Sequence, residues 1–258
     1  MRLAAIAITV TFIGTSNLLA ALKTKTIEYK QGDTVLEGYL AWDDSSTAKR
    51  PAVIVVHEWW GNNDYSHKRA EMLAGLGYVG FAVDVFGKGK QTTDPKQATE
   101  WATAIRNDIP TGLARLQAGL DTLKAQPMVD TDRIAAIGYC FGGSCVLHMA
   151  RNNFPLRGVV SFHGSLAGGS PNPQPIKPKI LACHGANDTF ESPEEVNAFM
   201  EEMKKANADW QFNIYSGAVH AFTNPDADKF GIPGVAYNKE ADQRSWQAMR
   251  DFFAEILK

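Results

Sequence analysis

The segment PAVIVVH at positions 51–57 constrains the fold more than any other part of this 258-residue sequence. It is a continuous run of apolar, mostly β-branched residues, which is typical of a strand buried on both faces. Strands of that kind belong to parallel sheets, because the crossover connections between parallel strands cover both faces with helices. The sequence therefore predicts an α/β fold.

Strand-like and helix-like segments alternate from position 24 onward. The first two predicted strands flank a turn at Gly32-Asp33 and are expected to pair antiparallel. The predicted strands lie at 25–29, 36–42, 51–57, 78–85, 133–138, 158–163, 179–184 and 211–215. The predicted helices lie at 66–76, 95–106, 112–125, 141–150, 194–206 and 241–257. This alternation predicts βαβ units and a mostly parallel central sheet covered by helices on both faces.

One segment rich in proline, glycine and serine, GGSPNPQPIKP at 168–178, resembles an interdomain linker. It is short, and the alternation of strands and helices resumes directly after it. We therefore interpret it as a loop within a single domain that covers positions 21–258.

The first 20 residues have a different character. Arg2 precedes an uncharged run at 3–15, which is about the length of the apolar region of a signal peptide and short for a membrane span. Small residues at Ala20 and Ala21 predict cleavage near Ala20, and no cysteine follows the run as it would in a lipoprotein. A signal peptide predicts export to the periplasm or the medium, without stable membrane association afterwards. A short buried helix or a retained membrane anchor is the alternative.

Composition excludes several classes of function. Lys and Arg total 26 and Asp and Glu total 28, a net charge of −2, which lacks the basic excess of a nucleic-acid or membrane-surface binder. The six histidines show none of the short spacings of a metal site, so neither a metal nor another cofactor is expected. His163 and His184 are interpreted as structural histidines at strand ends.

The segment RIAAIGYCFGGSC carries the strongest chemical signal. It places a Gly-x-Cys-x-Gly pattern, with Cys140 between Gly138 and Gly142, directly after a predicted strand and before a predicted helix. This is the pattern of a nucleophile elbow with cysteine in place of serine, and so sharp a turn needs small residues on both sides. The helix N-terminus would stabilise a thiolate and offer the Phe141 N–H to an oxyanion. The alternative is a glycine-rich turn that carries an inert cysteine.

The other two cysteines have a plainer interpretation. Three cysteines are too few for a disulfide scaffold, and the odd number leaves at least one free thiol. Cys140 and Cys145 would lie about 140° apart on a helix, which is a poor arrangement for a disulfide. Cys145 and Cys183 are expected to be small buried hydrophobic residues.

A thiol nucleophile needs a base, and the base needs an orienting acid. In enzymes with this elbow the order along the chain is nucleophile, acid, base. Asp188 follows the predicted strand at 179–184, and His220 follows the predicted strand at 211–215. Taken singly, these residues would be an ordinary loop acid and a surface or core histidine. Their order and location after Cys140 instead predict a Cys-His-Asp triad.

Four motifs together resemble the dienelactone hydrolases, and the resemblance covers essentially the whole chain after the first 20 residues. The motifs are VHEWWGNN at 56–63, GYCFGG at 138–143, HGAND at 184–188 and GAVHAF at 217–222. The resemblance implies a single α/β-hydrolase domain. It also implies that Cys140 is the nucleophile, His220 the general base and Asp188 the partner that orients the base.

The resemblance assigns roles to two further residues after the third predicted strand. Glu58 matches a glutamate that, in the family, takes the thiol proton when substrate binds, so that the thiolate exists only when it is needed. This protects the sulfur, because a standing thiolate is readily oxidised. The N–H of Trp59 would complete the oxyanion hole with that of Phe141. From the residues alone, Glu58 is equally well interpreted as a solvated loop carboxylate.

The sequence departs from family members that bind a dienelactone carboxylate with arginines. One family arginine follows the fourth strand, where Lys88 is the nearest cation here. The other follows the catalytic histidine, where 221–224 contains no arginine. A lysine cannot form the bidentate pair, so we expect weaker specificity for that carboxylate. Trp59, Trp60 and Phe86 are expected to form an apolar pocket wall or part of the core, and Lys88 to contact substrate or remain in solvent.

These observations predict an exported monomeric hydrolase that acts on small carboxylic esters or lactones through a thioester acyl-enzyme. The same residues would serve acyl transfer to an alcohol other than water. A non-catalytic binding or thiol redox protein on the same fold is the remaining alternative. Loss of a triad member would favour that alternative, and none is lost here.

Overall fold

An eight-stranded sheet forms the centre of the fold in the computed structural model, which describes residues 22–258. The predicted signal peptide at 1–20 lies outside the described residues. The strands are β1 (Leu22–Gln31), β2 (Thr34–Asp43), β3 (Arg50–Val56), β4 (Val79–Val83), β5 (Val129–Tyr139), β6 (Gly158–Phe162), β7 (Lys179–Gly185) and β8 (Trp210–Tyr215). Their order across the sheet is β1-β2-β4-β3-β5-β6-β7-β8.

The sheet is mostly parallel, with one antiparallel edge. β1 and β2 form the predicted hairpin, and β2 pairs antiparallel with β4. Every pair from β4 to β8 is parallel. The prediction of an α/β fold with a mostly parallel sheet is confirmed, and the architecture is that of an α/β hydrolase.

Helices cover both faces of the sheet, which explains the continuous apolar run in β3. The helices are α1 (Asp64–Gly75), α2 (Pro95–Asn107), α3 (Ile109–Lys124), α4 (Phe141–Arg151), α5 (Pro193–Lys205) and α6 (Lys239–Ile256). Ile54 and Val56 face a core shared with α2 to α5, whereas Val53 and Val55 face a second core shared with α1 and α6. Both sets of β3 side chains are therefore removed from water.

The proline-rich segment 168–178 connects β6 to β7, and these two strands are neighbours in the same sheet. β5 begins at Val129, four residues earlier than the predicted strand, because Arg50 of β3 pairs with Val129 before an irregularity in the register. Among the helices within residues 22–258, none is long and apolar enough to cross a membrane.

Candidate active site

Cys140, Asp188 and His220 follow β5, β7 and β8, respectively. These strands run parallel, so their carboxyl ends open onto one edge of the sheet, where α/β proteins build their sites. Nε2 of His220 lies 3.1 Å from Sγ of Cys140, and Nδ1 of His220 lies 2.9 Å from Oδ2 of Asp188. The structure thus brings the three residues of the predicted triad into one hydrogen-bonded chain.

Cys140 occupies a strained turn between β5 and α4. Its φ is +53°, a left-handed conformation that a non-glycine residue adopts only when its surroundings enforce it. A Cβ atom on Gly138 would lie 2.0 Å from the carbonyl oxygen of Gly142, and one on Gly142 would lie 2.2 Å from that of Val56. The two glycines that flank the cysteine are therefore required by the close approach of α4 to the sheet.

The environment of His220 favours a proton on its imidazole. Burial lowers the pKa of His220, but the charge of Cys140 and the hydrogen bond to Asp188 outweigh burial and hold the pKa well above its usual range. Asp188 is itself fixed, because its Oδ1 accepts a 2.9 Å hydrogen bond from the Phe190 N–H. The arrangement fits an imidazolium held between the Cys140 sulfur and a buried carboxylate.

Glu58 is buried beside this pair, with 3% of its surface exposed, so it is not a solvated loop carboxylate. Its Oε2 accepts a 2.6 Å hydrogen bond from the Asn224 side chain. Burial raises the pKa of Glu58 to about 7, against the opposing effects of Asn224, His220 and Arg69. A carboxyl group that changes protonation near neutral pH therefore stands next to the triad.

The amides expected to form an oxyanion hole lie on two elements that meet at Cys140. Phe141 is the first residue of α4, so its N–H has no acceptor within the helix. Trp59 lies in the turn after β3, and its N–H has no hydrogen-bond acceptor within residues 22–258. Both residues line the cavity that contains Cys140.

That cavity has a volume of about 300 Å³ and a largely apolar wall. Trp60, predicted to line the pocket, lies there with its ring centroid 4.7 Å from those of Trp59 and Phe230. The remaining apolar lining residues are Phe141, Phe190, Ala221, Ile232 and Val235. The polar lining residues are Glu58, Arg106, Cys140, Ser144, Ser165, Glu191 and His220.

Phe86 lies in the core behind the site, outside the lining of this cavity. Its side chain is buried against Phe141, with ring centroids 5.0 Å apart, and against His57 at 4.8 Å. Oδ1 of Asp84 accepts hydrogen bonds from the Phe86 and Gly87 N–H groups, which turns the chain inward after β4. Phe86 was expected in the pocket wall or in the core, and it lies in the core.

Lys88 also lies away from the cavity. Its N–H donates to the Val35 carbonyl, and its ammonium group pairs with Glu28 and Glu37 on the first hairpin. This tie to β2 directs the lysine to the antiparallel edge of the sheet. Of the two positions expected for Lys88, contact with substrate or exposure to solvent, the structure shows the second. Two carboxylates pair with the lysine there.

Four polar residues that line the cavity were not identified from the sequence: Arg106, Ser144, Ser165 and Glu191. Arg106 lies in the last turn of α2, and its guanidinium carbon is 5.9 Å from the Phe141 ring centroid. Oγ of Ser144 is buried and has no hydrogen-bond partner within the described residues. Glu191 is buried and accepts a 3.0 Å hydrogen bond from the Leu166 N–H. None of these residues belongs to a recognisable sequence motif, so only the tertiary fold shows that they line the cavity.

Comparison with known proteins gives a consistent result. The chain matches the dienelactone hydrolase family over residues 36–257. The solved structure m3DLH is 41% identical, with a TM-score of 0.89, over 92% of this chain and 100% of that chain. A dienelactone hydrolase-like promiscuous phosphotriesterase from metagenomic libraries is 38% identical, with a TM-score of 0.88, over the same shares of the two chains.

Among curated proteins, the "Putative carboxymethylenebutenolidase" of Yersinia pestis is 27% identical over 237 residues, which are 87% of this chain and 85% of that protein. The family match extends from β2 to the last turn of α6 and its C-cap, and so includes every residue of the site described above. The chain therefore belongs to the dienelactone hydrolase family and is a dienelactone hydrolase-like hydrolase of the α/β-hydrolase superfamily.

Proposed function

We propose that this hydrolase cleaves carboxylic esters or lactones through a thioester on Cys140. The observation that carries the proposal is the hydrogen-bonded chain from Sγ of Cys140 through His220 to Asp188, at a cavity large enough for a small ester. The comparisons support the hydrolase class, and the geometry supports a thiolate as the attacking group.

In the first half of the reaction, the Cys140 thiolate attacks the substrate carbonyl carbon. The Phe141 and Trp59 N–H groups stabilise the resulting oxyanion. When the tetrahedral intermediate collapses, the carbon–oxygen bond to the leaving group breaks and Nε2 of His220 gives its proton to the departing alkoxide. The products of this half are a thioester and a neutral imidazole, which Asp188 holds in the correct tautomer.

In the second half, neutral His220 takes a proton from water as the water oxygen attacks the thioester carbon. Collapse of the second intermediate breaks the carbon–sulfur bond and restores the thiolate and the imidazolium. Glu58, with its pKa raised to about 7, is suited to take the proton of Cys140 whenever the sulfur rests as a thiol. No cofactor enters this sequence.

The test is hydrolysis of p-nitrophenyl acetate by the wild type, Cys140→Ala and Cys145→Ala. We expect a burst of nitrophenol and an intact mass increased by one acetyl group in the wild type and in Cys145→Ala. Cys145→Ala is the matched control, because Cys145 is a buried thiol within α4, the helix that begins directly after Cys140. Turnover that persists in Cys140→Ala would contradict the proposal, and product that contains an added alcohol in place of water would identify an acyltransferase.

Phosphotriesters are a second candidate substrate class. One 38%-identical solved relative is described as a promiscuous phosphotriesterase. The aromatic wall formed by Trp59, Trp60 and Phe230 would suit the aryl leaving group of such a substrate. We expect the Cys140 sulfur to attack phosphorus in p-nitrophenyl diethyl phosphate, so that nitrophenol leaves and the intact mass of the wild type increases by one diethylphosphoryl group, with neither result in Cys140→Ala. No release by the wild type above the uncatalysed rate would exclude this class of substrate, and equal catalysed release by Cys140→Ala would exclude Cys140 as the nucleophile.

We also propose that residues 1–20 direct export. The proposal rests on the uncharged run after Arg2 and the small residues at its end. Expression of the full chain in a bacterium, followed by N-terminal sequencing of the periplasmic fraction, tests it. Recovery of the intact N-terminus in the cytoplasm alone would contradict it.

A further inference from the structure

His163 connects the two halves of the proposed catalytic pair. The Cys140 N–H is shared between the Phe162 carbonyl oxygen at 3.0 Å and Nδ1 of His163 at 3.1 Å, and Nε2 of His163 lies 2.7 Å from Oγ1 of Thr223. The His163 ring also packs edge-on against the His220 ring, with centroids 5.3 Å apart. One side chain therefore contacts the backbone of the cysteine, the ring of the histidine and the loop that carries that histidine.

The three segments that meet at His163 are all held in left-handed backbone conformations. The φ angles are +53° at Cys140, +41° at His163 and +57° at Ala221, which directly follows His220. A non-glycine residue in this region costs about 1–2 kcal/mol and stays there only when its contacts enforce it. The relative position of Cys140 and His220 therefore depends on contacts between these turns.

The hydrogen bonds define the protonation state of His163. Because Nδ1 accepts from a backbone N–H, the single ring proton lies on Nε2 and is donated to Thr223 Oγ1. Burial lowers the pKa of His163, and the charges of His220 and Arg69 lower it further. A neutral ring beside the protonated His220 adds no repulsion, so the two imidazoles can pack closely.

Thr223 is itself anchored to the helices on the far side. Its Oγ1 lies 2.7 Å from the Tyr65 hydroxyl, and its carbonyl accepts a 2.6 Å hydrogen bond from Nη2 of Arg69. Arg69 is 4% exposed and forms a 2.7 Å ion pair with Asp242 of α6. Contacts with α1 and α6 therefore hold Thr223 in place, and His163 connects Thr223 to the turn at Cys140.

We propose that His163 and Thr223 are positioning residues that hold the Cys140 sulfur and the His220 imidazole within proton-transfer distance. They act through the backbone of Cys140 and the loop of His220 and do not touch the reacting atoms. The proposal rests on the thiol chemistry proposed above, and it gives His163 a role beyond that of a satisfied structural histidine.

The first test compares Thr223→Val, which removes the hydroxyl and keeps the shape, with Thr223→Ser, which restores it. Two quantities are measured: kcat and KM for p-nitrophenyl acetate, and the pH profile of Cys140 alkylation by iodoacetamide. We expect Thr223→Val to lower kcat by about 10- to 100-fold with KM changed less than about twofold, since small misplacements of reacting groups have effects of this size. The alkylation profile should move to higher pH, because a displaced imidazolium stabilises the thiolate less. Thr223→Ser should recover most of kcat and the original profile.

Thr122→Val is the control, because its hydroxyl donates to the Ala118 carbonyl within α3, away from the site. Thr122→Val should match the wild type in both measurements. His163→Asn is a second test: asparagine tolerates a positive φ, but its shorter side chain cannot hold both partners. It should show the same loss of kcat and the same displaced profile, and it decides the matter if Thr223→Val does not fold.

A folded Thr223→Val or His163→Asn with the wild-type alkylation profile would overturn the proposal. Alkylation does not require substrate, so this readout stands even if the wild type hydrolyses no ester. If the wild type hydrolyses no ester, the proposed function fails, and the pH profile of Cys140 alkylation still tests the positioning role.

Discussion

The side-chain amide of Asn224 donates a 2.6 Å hydrogen bond to the buried carboxylate of Glu58. Asn224 lies in the short segment 221–224 after His220, which contains no arginine. A neutral amide offsets the cost of burying a charge less than a guanidinium would. Burial therefore dominates, and the pKa of Glu58 rises to about 7.

The raised pKa predicts how the stability of the protein depends on pH. The unfolded chain releases the Glu58 proton near the ordinary pKa of 4.5, whereas the folded protein holds it to about 7. The stabilising contribution of Glu58 to the unfolding free energy is therefore fully present below pH 4.5 and is lost as the pH rises through about 7. Relative to Glu58→Gln, the wild type should lose about 3 kcal/mol of unfolding free energy between pH 4.5 and 8. Urea unfolding of both proteins across this range measures the difference, and parallel curves would contradict it.

The elbow predicts opposite effects of alanine at two helical glycines. Gly142→Ala would place a Cβ 2.2 Å from the carbonyl oxygen of Val56, a backbone atom within β3 that cannot move aside. We expect it to lower stability by about 3 kcal/mol or more and to abolish turnover. Gly75→Ala is the matched control, because its Cβ would meet nothing within 4 Å at the end of α1. Alanine there should raise stability by about 0.5–1 kcal/mol. Thermal unfolding measures both, and equal effects would refute the steric account of the elbow.

The sheet and the triad could be predicted because each depends on short patterns. The composition of β3 alone indicates a parallel sheet. Cys140 directly follows a recognisable strand, and Asp188 and His220 lie in the loops that follow two others. Once the strands are parallel, their carboxyl ends converge, so local motifs suffice to bring distant residues together.

The walls of the cavity could not be predicted in the same way. The direction of the chain after β4 depends on the Asp84 carboxylate and on a hydrogen bond to β2, and these contacts send Phe86 into the core and Lys88 to the hairpin. Arg106 reaches the site because α2 ends beside Phe141, a matter of helix packing that no local pattern encodes. Tertiary contacts between segments far apart in sequence decide which side chains face the substrate.

The ion pair between Asp188 and His220 predicts a selective loss of turnover. Asp188→Asn keeps the shape of the side chain but no longer fixes the His220 tautomer with its proton on Nδ1. We expect kcat for p-nitrophenyl acetate to fall by about 10³- to 10⁴-fold with little change in KM. Asp209→Asn, which removes an exposed partner of Lys179, should leave both constants unchanged. A loss below tenfold in Asp188→Asn would show that the carboxylate does not orient the base.

Arg106 predicts a preference among substrates by charge. It lines the cavity and takes part in none of the ion pairs found within residues 22–258, and the buried Ser144 hydroxyl at the same cavity also lacks a partner there. An ester with a carboxylate on its acyl group could accept a hydrogen bond from the Arg106 guanidinium, and a bond to a charged group contributes about 1.5–3 kcal/mol.

Arg106→Gln should therefore raise KM for a carboxylate-bearing p-nitrophenyl ester by about tenfold or more. The same substitution should leave KM for the neutral ester of equal length nearly unchanged. Lys88→Gln is the matched control, since Lys88 is paired with Glu28 and Glu37 on the first hairpin and should affect neither ester. Steady-state kinetics with both esters at two salt concentrations measure the effect, and the preference for the anionic ester should weaken as salt rises. An equal rise in KM for both esters would show that Arg106 shapes the cavity without binding an anion, and sensitivity to Lys88→Gln would place the anion at the hairpin instead.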